Sequence, residues 1–138
     1  MQYPATIAWL KDEEITVNSS DELMNALDRF EVASRSNPWP LLAQITDREG
    51  HDSVIGIVDD GAFFEFTSNH TSDEPYRDFV CIGNENAEGG VDFWLLGHHS
   101  ELSRSQFIPV QAMRNALRYY LETGELSKEV RWLDCSSD

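Results

Sequence analysis

Histidine is the side chain best suited to proton transfer and metal binding near neutral pH, and the chain has four: His51, His70, His98 and His99. Adjacent His98 and His99 point to opposite sides of an extended segment, so they do not share one metal ion. There is no HExxH motif, no CxxC motif and no histidine pair at helical spacing. We therefore expect no metal site and no cofactor, and we expect His98 and His99 to end a strand at a polar turn.

Carboxylate pairs are the second group that could support catalysis. A glycosidase needs two carboxylates across one cleft, about 5–10 Å apart. The acidic pairs of this chain are adjacent in sequence on predicted loops, which does not indicate such an arrangement. No serine lies in a nucleophile elbow of the GxSxG type. Catalysis thus has no positive indication. One alternative stays open, a small α+β enzyme or ligand-binding domain that uses His98, His99 and nearby acids, which a deep pocket holding those side chains would support.

Charge gives a more specific indication than any motif. The chain carries 25 acidic and 10 basic residues and a net charge of −15, and most of the acids lie before residue 101. Such a field repels nucleic acids and anionic membranes and attracts a basic partner. No basic patch is interleaved with aromatic residues, so nucleic-acid binding is not expected. Ordinary solubility is the alternative explanation of the charge.

Four predicted loops, at 47–52, 59–60, 73–78 and 85–88, carry many of the acids. If the sheet is antiparallel, several of these loops could lie at one end and form a negative patch. Tyr76 could act there as an aromatic anchor. Trp39 is a second candidate anchor, although core packing is the simpler interpretation for Trp39 and Trp94. The predicted partner-binding residues are Asp47, Glu49, Asp52, Asp59, Asp60, Asp73, Glu74, Tyr76, Asp78, Glu85 and Glu88.

The elements that position these residues follow the order β-α-β-β-β-β-α-β. Leucine, alanine and phenylalanine residues repeat at helical spacing over 20–34, after a Ser19–Glu22 capping-box pattern. Asp60-Gly61 is a hairpin signal, followed by a strand with Phe64 on one face and Glu65 on the other. The other predicted strands are 5–10, 41–47, 53–59 and a pair at 79–83 and 91–97.

A second helix and a final strand close the chain. Pro109 suits the first helical turn, Gln111 could reach back to the backbone of Ile108, and Gly124 suits the left-handed residue after the helix. The run EVRWL then predicts a strand. We expect a single α+β domain over residues 1–138, with a largely antiparallel sheet packed against two helices.

Compartment and redox state follow from what the sequence lacks. The N-terminal segment has no basic stretch followed by an apolar one, and no apolar run approaches the ~20 residues that cross a bilayer. Cys81 lies in the apolar run DFVCIG, where a buried thiol is usual, and a disulfide with Cys135 stays open. We expect a soluble, cytoplasmic protein with no membrane partner.

The segment VDFWLLGHHSELSRSQFIPVQAMRNALRYYLETGELSKEVRW (91–132) resembles the C-terminal half of the Imm1 family of bacterial immunity proteins. That family has an aromatic strand, Gly-His, a polar turn, an Ile-Pro helix start, an alanine-rich helix closing on Thr-Gly, and then Val-x-Trp. The run GIVDDGAFFEF is similar to the central hairpin of the family. The matching residues are Gly97, His98, Glu101, Ile108, Pro109, Ala112, Ala116, Leu121, Thr123, Gly124, Val130 and Trp132.

This resemblance implies an α+β protein that binds and neutralises the toxin domain encoded beside it in an interbacterial polymorphic-toxin system. Toxins paired with the family include nucleic-acid deaminases and nucleases. The leading hypothesis is therefore a non-enzymatic inhibitor that covers the active site of a basic toxin with an acidic surface. A generic interaction module with another partner is a further alternative.

Overall fold

The structure is a computed structural model that describes residues 1–11, 13–59, 61–69 and 75–136. A short 3-10 turn, Arg104–Gln106, precedes the second helix. The strands and helices are β1 (Ala5–Leu10), β2 (Glu13–Val17), α1 (Ser20–Ser36), β3 (Leu42–Thr46), β4 (Asp52–Val58), β5 (Gly61–Thr67), β6 (Asp78–Ile82), β7 (Gly90–Leu95), β8 (His98–Ser103), β9 (Ile108–Pro109), α2 (Val110–Thr123) and β10 (Arg131–Asp134).

The strands form a main sheet and a separate hairpin. The main sheet has the order β10-β6-β5-β4-β3-β1-β2, with the short β9 added to β5, and β7 pairs with β8. All of these pairings are antiparallel. The α+β class and the antiparallel sheet are therefore confirmed. Neither helix of the described chain is long and apolar enough to span a bilayer.

Alternation along the strands divides the interior into two cores. Phe64 and Phe66 of β5 join the main core with residues of α1 and α2. Phe63 points the other way and packs with Phe93 of β7 in a second core. Both helices therefore cover one face of the main sheet, while the β7–β8 hairpin covers part of the other face. The predicted division of β5 into two faces is confirmed.

The caps of α1 match the sequence pattern with one change. The Ser19 hydroxyl accepts a hydrogen bond from the Glu22 backbone N–H (3.2 Å). The Glu22 carboxylate, however, accepts from the N–H of Asn18 (2.8 Å), one residue before the capping serine. Leu23, Leu27 and Phe30 then lie fully inside the protein.

The start of α2 differs from the prediction, but its end does not. Pro109 precedes the first helical residue and no side chain caps it. The Gln111 side-chain amide donates to Asn115 (3.0 Å), so the expected bond back to Ile108 is wrong. Gly124 ends the helix at φ 79°, in the left-handed region that glycine adopts at little cost.

The predicted pairing of the strands at 79–83 and 91–97 is wrong. Leu96 and Gly97 have φ values of 51° and 90°, and two consecutive positive φ values are typical of a tight hairpin turn. That turn folds β7 back on β8, so His98 and His99 begin a strand and do not end one. β6 pairs with β5 and β10.

Candidate partner-binding surface

The antiparallel register divides the predicted acidic residues between two ends of the main sheet. Asp52, Thr67 and Asp78 face one another across β4, β5 and β6, at the end that also carries the 47–52 loop. β4 and β6 both run away from this end, so Asp59, Glu85 and Glu88 lie at the opposite end. The loops therefore do not build one patch at one end, because consecutive antiparallel strands place alternate turns at opposite ends. Asp60, Asp73 and Glu74 lie outside the described residues.

Asp47 is buried and does not present its carboxylate at the surface. Only 6% of the residue is exposed. Its carboxylate accepts hydrogen bonds from the backbone N–H groups of Glu49 (2.9 Å) and His51 (3.0 Å), and the Tyr120 hydroxyl donates to it. Burial, followed by this bond to Asp47, raises the pKa of Tyr120. The prediction of Asp47 as a partner-binding residue is corrected accordingly: it holds the β3–β4 turn against α2.

His51 has a structural position as well. It is 6% exposed, and its Nδ1 atom accepts a hydrogen bond from the backbone N–H of Asn69 (2.8 Å). Glu49, between these buried residues, is exposed. The 47–52 loop therefore offers the carboxylates of Glu49 and, in part, Asp52 to a partner.

Three carboxylates share the face of the main sheet that points away from the helices. Asp52 belongs to β4, Glu65 to β5 and Asp78 to β6, and each is half-buried. Glu65 lies opposite Val80 and two positions along β5 from Thr67, the partner of Asp78. We call Asp52, Glu65 and Asp78 the sheet carboxylates.

The electrostatics of the sheet carboxylates depart from those of ordinary surface acids. Burial, followed by hydrogen bonding to Asp78 and repulsion from it, raises the pKa of Glu65 to about 7. Asp52 accepts a hydrogen bond from the Thr46 hydroxyl (2.8 Å). The Oδ1 atom of Asp78 is buried and has no hydrogen-bond partner within the described part of the chain. Two negative charges on Glu65 and Asp78 are therefore unfavourable, and a cation near the pair would favour their ionised forms.

Tyr76 borders the sheet carboxylates. It is 40% exposed, and desolvation, followed by the charges of Asp78 and Glu65, raises the pKa of its hydroxyl. Glu65 was absent from the predicted site because a single acid in an aromatic strand resembles an ordinary outward-facing residue. The alternation of Glu65 with the apolar Phe64 and Phe66 was the sequence signal that could have placed Glu65 on the outward face.

The acids at the opposite end have different surroundings. Glu85 forms an ion pair with Arg131 (3.4 Å), and Glu88 is exposed. Asp59 is exposed, and its backbone oxygen accepts a hydrogen bond from Arg35 (2.8 Å). A basic neighbour already lies beside two of these three residues.

Trp39 and Trp94 form part of a stack of rings, in which Trp39 lies at the surface and Trp94 is half-buried against the main core. Trp39 is 52% exposed, so the simpler interpretation of core packing is wrong for this residue. Its ring centroid lies 5.2 Å from that of Trp94, which lies 5.1 Å from that of His99. The His99 Nε2 atom lies 2.8 Å from Asp92 Oδ1. We call Trp39, Trp94 and His99 the aromatic stack.

The arrangement of the histidines gives the enzyme alternative no support. His98 lies opposite Leu95 and His99 opposite Trp94, so the two imidazoles lie on different faces of β8. Among the described residues, no three His, Cys, Asp or Glu side chains are placed to hold a metal ion. Cys81 is buried, Cys135 is exposed, and both are free thiols, which answers the open question of a disulfide.

Comparison with known proteins gives one family. The family model described as immunity protein Imm1 matches residues 11–134, which is most of the chain. No curated protein matches the sequence.

Proposed function

Because the chain belongs to the Imm1 family of immunity proteins, we propose that it neutralises a basic cognate toxin domain by placing the sheet carboxylates over that domain's active-site groove. The observation that carries this proposal is the pair Glu65 and Asp78 on the face of the main sheet that points away from the helices. A partner's lysine or arginine would place a positive charge beside these carboxylates, and Tyr76 and Glu49 would extend the contact.

The charge of the chain supports a nucleic-acid-acting toxin. Deaminases and nucleases hold the phosphate backbone with positively charged residues, and a protein of net charge −15 is attracted to such a surface from a distance. The inhibitor itself would act in the cytoplasm, without turnover and without contacting nucleic acid or membrane. The toxin would be a deaminase or a nuclease.

The first experiment tests neutralisation. The toxin module encoded beside this chain is incubated with single-stranded and duplex DNA and RNA, and base conversion and strand cleavage are measured with and without the purified protein. Equimolar protein is expected to abolish the activity. Full toxin activity in the presence of excess protein would contradict the proposed function.

The second experiment tests the surface. The triple variant Asp52→Asn, Glu65→Gln, Asp78→Asn is expected to lose about 2–5 kcal/mol of binding free energy, the usual cost of removing one side of a desolvated charge contact. Glu122→Gln, at an exposed position of α2, is a control for the loss of a surface charge elsewhere and should bind as the wild type does. Equal affinities for the triple variant and the control would rule out the sheet carboxylates as the docking surface.

A further inference from the structure

Trp39 is an exposed tryptophan held in one position. The Asn37 side-chain amide donates to the backbone oxygen of Trp39 (2.9 Å), and the Trp94 backbone N–H donates to the oxygen of Pro40 (3.0 Å). Leu41 forms a parallel bridge to Trp94. These contacts fix the segment that carries the ring, so a partner that binds Trp39 would lose little conformational freedom in ordering it.

Two carboxylates flank the aromatic stack on the outward face of the hairpin. Asp92 lies opposite Glu101 and Trp94 lies opposite His99 in the β7–β8 register. The alternating Val91 and Phe93 are buried in the second core. On the other face of the hairpin Asp92, His99 and Glu101 are exposed, and Trp94 is half-buried because it also packs against the main core. Like charges directly opposite each other across two strands repel, and a cation between them would relieve that repulsion.

We propose that the aromatic stack, with Asp92 and Glu101, is a docking site for an arginine side chain of the toxin. Guanidinium is planar, stacks on the face of a tryptophan and donates in pairs to carboxylates. A lysine ammonium group would supply the charge, but it is not planar and does not donate in a fixed pair. Trp and Arg are also the residue types that carry most binding energy in protein interfaces.

The identity of the partner in this inference rests on the proposed function. The arginine site adds a second contact between the protein and the toxin. The hairpin packs on Phe63 and Val80 of the main sheet, on the same face that carries the sheet carboxylates. The hairpin and the sheet carboxylates therefore lie on the same side of the main sheet. One toxin surface can meet both, with the sheet carboxylates attracting it and Trp39 anchoring one arginine.

The first test is calorimetric titration of a catalytically inactivated toxin module into the protein. Trp39→Ala is expected to weaken binding at least about 30-fold, the effect of losing an interface hot spot, while its thermal unfolding stays close to that of the wild type. Tyr119→Ala is the matched control, because Tyr119 is an aromatic residue of similar exposure (41%) on α2. It should bind as the wild type does.

The second test needs no toxin. Acetyl-arginine amide and acetyl-citrulline amide have nearly the same shape, but only arginine carries a charge. In a proton–nitrogen NMR titration, arginine is expected to shift the indole N–H of Trp39 in a saturable way, and citrulline is not. The double variant Asp92→Asn, Glu101→Gln should weaken the arginine response.

The outcomes separate this inference from the proposed function. Wild-type affinity for the toxin in Trp39→Ala, or equal responses to arginine and citrulline, would overturn the arginine site and leave the immunity role intact. Failure of the wild-type protein to inhibit the toxin would overturn the proposed function, and the arginine titration would still decide whether the stack binds guanidinium.

Discussion

At the residue scale, Asp47 shows how this protein keeps a carboxylate inside its fold. The donors are two backbone N–H groups of its own turn and the hydroxyl of Tyr120, 73 positions further along the chain. An ionised carboxylate is costly to bury unless hydrogen bonds replace its water. The side chain of Tyr120 therefore stabilises both α2 and the β3–β4 turn.

Replacing Tyr120 with phenylalanine tests this role. The change keeps the ring but removes one donor from a buried carboxylate, so the free energy of unfolding should fall by about 1–3 kcal/mol. Urea denaturation near pH 7 measures it. Tyr119→Phe, at an exposed position next to it on the same helix, should leave stability unchanged. Equal stabilities for the two variants would contradict the assigned role.

Glu65 predicts a pH dependence of stability. Its pKa is about 7 in the folded protein, against a usual value of 4.5, so the folded chain holds a proton that the unfolded chain releases between these values. The stabilisation from this proton is complete below about pH 4.5 and is lost as the pH rises through 7. Asp52, Asp78 and Tyr76 are the titratable groups that we place beside it.

Glu65→Gln removes this dependence because glutamine stays neutral. Relative to the wild type, the variant should become more stable as the pH rises from about 5 to about 8. Urea unfolding of both proteins at several pH values measures the difference. A constant stability difference across that range would mean that Glu65 does not hold the extra proton.

The sequence pattern does not distinguish the buried Asp47 from the half-buried Asp52, for a physical reason. Both acids belong to the run DREGHD, and local pattern assigns both to a polar loop. What distinguishes them is the Tyr120 hydroxyl, which comes from a distant helix. Contacts of that kind depend on tertiary packing, whereas the alternation that placed Phe64 inside and Glu65 outside is a local property of the strand.

At the element scale, the β7–β8 hairpin is a second layer attached to the main sheet. Phe93 is fully buried and lies against Gly56 of β4, where an added Cβ atom would come within 2.9 Å of the ring. The ring of Phe107 packs 6.0 Å from it. This small core fixes the hairpin, and the hairpin in turn positions Trp94 and His99.

Phe93→Ala should therefore cost about 3–5 kcal/mol, the usual loss for a large aromatic residue removed from a core. Thermal or urea unfolding measures that loss. Leu133→Ala, at an exposed position of β10 (46%), should cost far less. If the two variants unfold alike, the hairpin is not held by its second core.

The sequence pattern does not predict β2 and β8, because their extended conformation depends on pairing with a neighbouring strand. The helices and the strands of the central meander follow from hydrophobic periodicity, and their predicted bounds lie close to the observed ones. β2 has the sequence EEITV, and β8, HHSELS, is polar except for Leu102, so neither has a strong strand pattern. Their backbones are extended because β2 pairs with β1 and β8 pairs with β7.

At the scale of the whole molecule, self-repulsion accompanies the net charge of −15. Acids outnumber bases by 15, and unscreened like charges destabilise the compact state. Raising the salt concentration from about 10 to about 150 mM should raise the melting temperature, because the Debye length shortens to about 8 Å. A melting temperature that falls with added salt would indicate that ion pairs such as Arg114–Asp28 dominate instead.

The same screening should slow the encounter with the basic toxin that we propose as the partner. Association steered by opposite charges is fast at low salt and falls as salt increases. Stopped-flow mixing over a tenfold range of sodium chloride measures the association rate constant. The dissociation rate constant should change little. An association rate constant that stays the same over that range would contradict charge steering.

The position of β10 has a consequence for synthesis on the ribosome. This strand covers the edge of β6, yet it is translated 49 residues after the end of β6, a delay of roughly 3–10 s at ordinary elongation rates. During that interval the nascent chain exposes the unpaired backbone of β6 and lacks Trp132, whose ring packs 5.1 Å from that of Phe64. The meander can therefore be completed only after β10 has been made. Protection of the cell would then lag behind the start of translation by at least that delay.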